Sequence, residues 1–161
     1  MAVNTGDRKP SKMEVLSHAI KTHEAITDLC LRDFGVRSRN SILRPKYENA
    51  AHLEGNTDRI DNIIFEKVSR IDGLANGMID DLNSAKAIYP RFASEYDVRL
   101  SYQNSALAKC QAIKTELESI ARMFDVDISC FRNPIKCLDR EMHLIREWRK
   151  SDRRSFKGHL L

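Results

Sequence analysis

Glycine and proline are scarce in this chain, six and four residues of 161. That scarcity argues against the many tight turns of a sandwich or barrel, and because most of these residues fall between periodic segments it predicts long helices. Long apolar runs are also missing. None approaches the roughly 20 residues needed to cross a bilayer, so no membrane contact is expected. Residues 1–11 hold no apolar stretch of the kind a secretion signal needs, and they read as a flexible arm on a cytoplasmic protein. Cysteine is limited to Cys30, Cys110, Cys130 and Cys137, without the short double spacing of a zinc site. Cys30, Cys110 and Cys137 fall on or beside apolar helical stripes, where a reduced thiol packs as a small hydrophobe. Internal repeats and low-complexity segments are absent.

Catalytic signatures are lacking as well. There is no Gly-x-Gly-x-x-Gly, P-loop or Gly-x-Ser-x-Gly pattern. Asp80 and Asp81 are adjacent in a helical stretch and point about 100° apart, which is wrong for sharing a proton or a metal. Cys137 and His143 lie six residues apart, on different helical faces. A carboxylate-bridged metal site in a bundle needs Glu-x-x-His pairs on two helices; Glu14 and His18 lie one turn apart, but His18, His23, His52, His143 and His159 supply no such pair. The chain reads as a protein that is not an enzyme, with no catalytic residue, metal or cofactor. A metal-dependent bundle enzyme is the reading that metal analysis of the purified protein would discard.

What the chain does have is helical periodicity, over 42% apolar residues, enough for one domain. A first helix is predicted after Pro10, with Ser11 as N-cap and Glu14 three residues on. Met13, Leu16, Ala19, Ile20, Ile26, Leu29, Cys30 and Phe34 form its stripe, and Gly35 is its stop signal. Residues 36–56 show no sustained period and read as a long basic connection, with a short helical turn near Lys46 to Leu53. A second helix is predicted from Thr57 to about Tyr89, with Asp58 and Asp61 in its first turn. Its stripe is Ile60, Ile63, Ile64, Val68, Ile71, Leu74, Ala75, Met78, Ile79 and Leu82. Gly73 and Gly77 interrupt it, either for close helix contact or by simple tolerance. Pro90 breaks the pattern. A third helix follows from Phe92 to Phe124, with Tyr96, Leu100, Gln103, Ala106, Leu107, Cys110, Ile113, Leu117, Ile120, Ala121 and Phe124 inward. Pro134 opens a fourth, along which Ile135, Leu138, Met142, Ile145 and Trp148 recur at three and four. The expected fold is all-α, an up-down-up-down four-helix bundle over residues 12–150 with a long basic connection between helices 1 and 2. Residues 151–161 are expected to be a basic tail that frays.

Charge is modest in sum, net +4, and uneven in placement. Arg32, Arg37, Arg39, Arg44 and Lys46 face only Asp33 in one segment; Arg140, Arg146, Arg149, Lys150, Arg153, Arg154 and Lys157 outnumber Glu141, Glu147 and Asp152 in another. The stretch between residues 54 and 97 is acidic. Basic ends point to a phosphate-bearing partner, while a hydrated helix end complementing its dipole is the plainer alternative. Tyr47 and Tyr102 are placed to stack on bases, or to be buried.

Three segments carry a resemblance: the run from Asp7 to Val15, the run Arg99-Leu100-Ser101-Tyr102-Gln103-Asn104-Ser105-Ala106 with Cys110 after it, and Leu144-Ile145-Arg146-Glu147-Trp148-Arg149-Lys150-Ser151-Asp152. In their order and spacing the chain resembles the accessory variability determinant family, four-helix-bundle partners of reverse transcriptases in diversity-generating retroelements. The resemblance implies a noncatalytic homo-oligomer, a ring of five, with a basic outer surface that binds the reverse transcriptase and its template RNA, or the cDNA or DNA derived from it, to support cDNA synthesis and mutagenic retrohoming. It assigns RNA or polymerase contact to Arg99, Arg146, Arg149, Lys150, Arg153 and Arg154. The connection at residues 36–56 is longer than the family pattern, and its Arg37, Arg39, Arg44 and Lys46 are expected to form an extra RNA-contacting loop. Bundles encoded in intervening sequences of bacterial large-subunit ribosomal RNA are similar in size, but their loop motif is missing. The alternative from another class is a protein-only scaffold that binds an acidic partner without nucleic acid.

Overall fold

The computed structural model describes residues 12–37, 57–156 and 158. Among these, four long helices form: α1 (Lys12–Leu31), α2 (Thr57–Ala87), α3 (Ala93–Met123) and α4 (Arg132–Phe156). Two 3-10 turns, Asp33–Gly35 and Ile128–Phe131, stand between them. The only extended pairing among the described residues is a single antiparallel bridge between Val36 and Val126. The protein is an all-α helical bundle. α2 packs on α3, α3 on α4, and α1 on both α2 and α4, so each helix has two neighbours around a shared core.

The helix ends follow local chemistry. Pro90 denies the second helix a further hydrogen bond, and α2 stops at Ala87. At the start of α3 the Glu95 carboxylate accepts from the backbone N–H of Arg91 at 2.7 Å and of Phe92 at 3.2 Å, satisfying donors the helix leaves open. Asp127 caps the second 3-10 turn, accepting from the Ser129 N–H at 3.0 Å, and Pro134 sits in the first turn of α4.

The stripes expected from periodicity supply the core: Ala19, Ile26 and Leu29 from α1; Ile60, Ile71, Met78 and Leu82 from α2; Cys110, Ile113, Leu117 and Ile120 from α3; Leu138, Met142, Ile145 and Trp148 from α4. Cys30, Cys110 and Cys137 are buried free thiols, as their stripes predicted. Ile20 departs from its stripe and is 53% exposed. Gly73 has open space where a Cβ would stand, so it serves no close contact; at Gly77 a Cβ would lie 2.8 Å from Cε of Lys109, so the lysine stem crosses there.

Two boundaries correct the sequence reading. α1 ends at Leu31, before the expected stop, because Asp33, Phe34 and Gly35 all take left-handed backbone, φ 48°, 57° and 67°. The two non-glycine residues carry a cost of about 1 to 2 kcal/mol each, offset by the Phe34 ring, which the turn delivers wholly into the core. The turn is clamped by Arg37 N–H donating to the Asp125 carbonyl at 2.8 Å and Asp127 N–H to the Gly35 carbonyl at 2.9 Å. At the other boundary, residues 151–156 are helical. α4 continues to Phe156 because Asp152 is buried under it and the Phe156 ring packs edge-on against Tyr89, centroids 5.9 Å apart.

Candidate functional site

Arg99 was expected at a binding surface, and the fold buries it completely. Its side chain leaves α3 towards the ends of α2 and α4. Nε and one terminal nitrogen donate to the two Asp152 oxygens at 2.6 and 2.8 Å. The other terminal nitrogen donates to the carbonyls of Ala85 and Ile88 at 3.2 and 2.7 Å, capping the C-terminus of α2. The guanidinium also stands 5.0 Å from the centre of the Trp148 ring and 5.7 Å from that of Phe156. Gln103 adds a third donor to Asp152 at 2.7 Å. With its donors spent inside, Arg99 is a structural clamp between three helices and not a surface contact. The expectation failed because Asp152 lies 53 residues away, and only packing brings the pair together.

The cations of α4 reach the surface, Arg149 only in part. Arg146, Arg149, Lys150 and Arg153 are spaced three and four apart, which confines them to an arc of about 100°. Together they line one wall of a groove of about 430 Å³ whose other wall is Tyr96 and Leu100 of α3. Arg154 is exposed next to that arc. Of these five, Lys150 is the one with a carboxylate partner among the described residues, Glu147 at 2.6 Å. That ion pair is exposed, and it holds the Glu147 carboxyl below its ordinary range through the Lys150 hydrogen bond. Arg149 is half-buried, with Nε unpartnered among the described residues. The arrangement presents several delocalised cations beside an apolar wall, suited to an anion attached to a flat apolar group.

Periodicity had assigned Tyr96 and Leu100 to the core, whereas they are only half-buried. Their position four residues apart at the start of the α3 stripe, next to Arg99, was the available signal. Tyr102, considered for stacking, is 36% exposed and does not line the groove. Tyr47 lies outside the described residues.

Arg37 is exposed at the opposite end of the bundle. Its backbone bonds to Asp125, and its guanidinium stands 3.7 Å from Asp127. Since α4 begins near there, Arg146 is about 21 Å further along the helix axis. The two basic regions are therefore not one patch among the described residues. Arg39, Arg44 and Lys46 lie outside them, as does the helical turn expected near Lys46 to Leu53.

Inside the bundle, His18 does not pair with Glu14. Its Nδ1 lies 2.7 Å from Oε2 of the fully buried Glu141, and Thr22 donates to the His18 carbonyl at 2.9 Å. Burial pushes the Glu141 carboxyl above its ordinary range, against the hydrogen bond and charge of His18 and the charge of Arg140. Burial also pushes the Cys110 thiol to about 12, with the Glu141 charge adding to it. A thiol so far from its thiolate is a poor nucleophile. Among the described residues no group of three or more His, Cys, Asp or Glu side chains is arranged to hold a metal ion.

Comparison with protein-family models, curated proteins and solved structures finds no match to this chain.

Proposed function

We propose that this protein is a noncatalytic nucleic-acid-binding subunit, working in the cytoplasm as an accessory partner of a diversity-generating retroelement reverse transcriptase and holding its template RNA. The observation that carries the reading is the α4 stripe: Arg146, Arg149, Lys150 and Arg153 gathered along one groove, of which only Lys150 is ion-paired among the described residues, to Glu147. Arg154 extends the stripe. Arg99 is withdrawn from the contact set, since its donors are consumed by Asp152, Ala85 and Ile88. The polymerase partner and the ring of five rest on the sequence resemblance alone.

In this reading the chain is an up-down-up-down bundle with residues 36–56 as the long connection. Contact registers support it. His18 meets Glu141 while Thr22 reaches the Cys137 carbonyl; Lys67 meets Glu116 while Asp81 meets Lys109; Arg99 meets Asp152 while Lys114 meets Asp139. In each pair of helices, residue numbers rise on one as they fall on the other.

The test is binding of a structured RNA across a salt series, by gel shift or anisotropy, using the full chain and a variant with Arg146, Arg149, Lys150, Arg153 and Arg154 replaced by glutamine. The variant should remain helical, bind more weakly and show a flatter dependence of log affinity on log salt. Equal affinity and slope would remove the stripe from the proposal. An acidic protein that binds the stripe while RNA does not would favour the protein-only scaffold.

A further inference from the structure

We infer that the groove between α3 and α4 takes a single-stranded segment of RNA, with its phosphates on the cations of α4 and an unpaired base against Tyr96 and Leu100. The inference rests on the nucleic-acid reading above and deepens it. The two walls differ in chemistry: one is lined by Arg146, Arg149, Lys150 and Arg153, the other by Tyr96 and Leu100.

Duplex RNA satisfies only the first wall. Its bases are stacked on one another, and it offers a protein its phosphates, its 2′-hydroxyls and the edges of a shallow groove. A duplex resting on the stripe would leave Tyr96 and Leu100 facing water. An unpaired nucleotide offers both a phosphate and an apolar face, the combination that single-strand binding surfaces exploit.

Dimensions agree. From Arg146 to Arg153 the helix rises about 10 Å, so the cations are distributed along a line that successive phosphates of one strand can follow. The groove volume of about 430 Å³ falls within the roughly 300 to 1,000 Å³ that suits a small organic group, room for a base with its sugar. Tyr96 packs on Phe156, centroids 6.2 Å apart, and Phe156 is seated by the Arg99 guanidinium. The aromatic wall is therefore braced before any ligand arrives.

The test uses the full chain and a labelled oligoribonucleotide of about a dozen residues, alone and annealed to its complement, with affinities read by fluorescence anisotropy at one fixed salt concentration. The single strand should bind at least tenfold more tightly than the duplex. Tyr96→Ala should lower single-strand affinity roughly 5- to 100-fold and leave duplex affinity unchanged, because only an unpaired base reaches the ring. Equal binding of the two forms overturns the inference without any variant. So does a Tyr96→Ala loss of the same size for both. In either case a glutamine-stripe variant that loses affinity still upholds the broader nucleic-acid reading, whereas absence of binding to both forms overturns the two together.

Discussion

The Arg99 guanidinium meets the Asp152 carboxylate side by side, through two hydrogen bonds of 2.6 and 2.8 Å, in the interior of the protein. Two charges taken out of water lose several kcal/mol of hydration each, and a bidentate geometry with further hydrogen bonds is what offsets that loss. Both conditions are met: Gln103 donates to Asp152, and the carbonyls of Ala85 and Ile88 accept from Arg99. Removing one partner leaves the other charged and alone. Asp152→Ala should cost about 3 to 5 kcal/mol, read from urea unfolding, whereas Arg99→Met combined with Asp152→Leu should recover much of it. A single-variant loss below about 1 kcal/mol would show that water reaches the pair.

Trp148 is 2% exposed and lies beneath the Arg99 guanidinium. Trp148→Ala should cost about 3 to 5 kcal/mol through lost burial and the cavity left behind. Trp148→Phe should cost clearly less, since the indole Nε1 is buried without a partner among the described residues and its removal relieves an unpaired donor. Denaturant midpoints of the two variants check this, and similar losses for both would mean that the indole N–H is bonded after all.

Stability should carry a pH signature from Glu141. Its carboxyl is raised above the ordinary 4.5 by burial, so the folded state holds the proton more tightly than the unfolded chain. The resulting stabilisation is complete below the ordinary value and is lost as pH rises through the folded value. Glu141→Gln, fixed in the neutral form, should gain stability relative to the parent as pH rises above 4.5. Glu116 acts with the opposite sign. Its burial opposes ionisation, but hydrogen bonds and charge from Lys67 and Arg70 outweigh that and lower its value, so its contribution is lost as the solution is acidified. Denaturation midpoints of parent and Glu141→Gln across the pH series separate the two, and a pH-independent difference between them would contradict the Glu141 assignment.

The two glycines of α2 should respond differently to alanine. Gly73 has nothing within 4 Å of a built Cβ, so Gly73→Ala should stabilise by about 0.5 to 1 kcal/mol through helix propensity. At Gly77 the new methyl would displace the Lys109 stem, whose ammonium bonds to Asp81 and, at 2.8 Å, to Ser105. Gly77→Ala should therefore gain less than Gly73→Ala or lose stability. Thermal midpoints of the two single variants decide it; a larger gain at Gly77 would show that Lys109 moves aside freely.

Much of the fold was legible in the chain because helix periodicity is a local property. The stripes Ile60 to Leu82 and Ala106 to Ile120 could be read directly, and Pro90 and Pro134 marked the breaks. Harder to read were the polar residues of the interior. Arg99, Glu141 and Asp152 look like surface charges by type, and each is buried only because a partner from another helix meets it. The same blindness explains the tail. Arg153 and Arg154 look like a fraying end, but Asp152 between the cations is an anchor.

By itself, the sequence determined that the chain is helical, where the apolar stripes run, and that α4 carries cations at three- and four-residue spacing, since all of these follow from the geometry of one turn. Tertiary structure alone decided which charges are sequestered and which face water, because that depends on which helices meet. It placed Arg99 against Asp152, and it set Tyr96 and Leu100 opposite the cations of α4 to make a groove that no single segment contains.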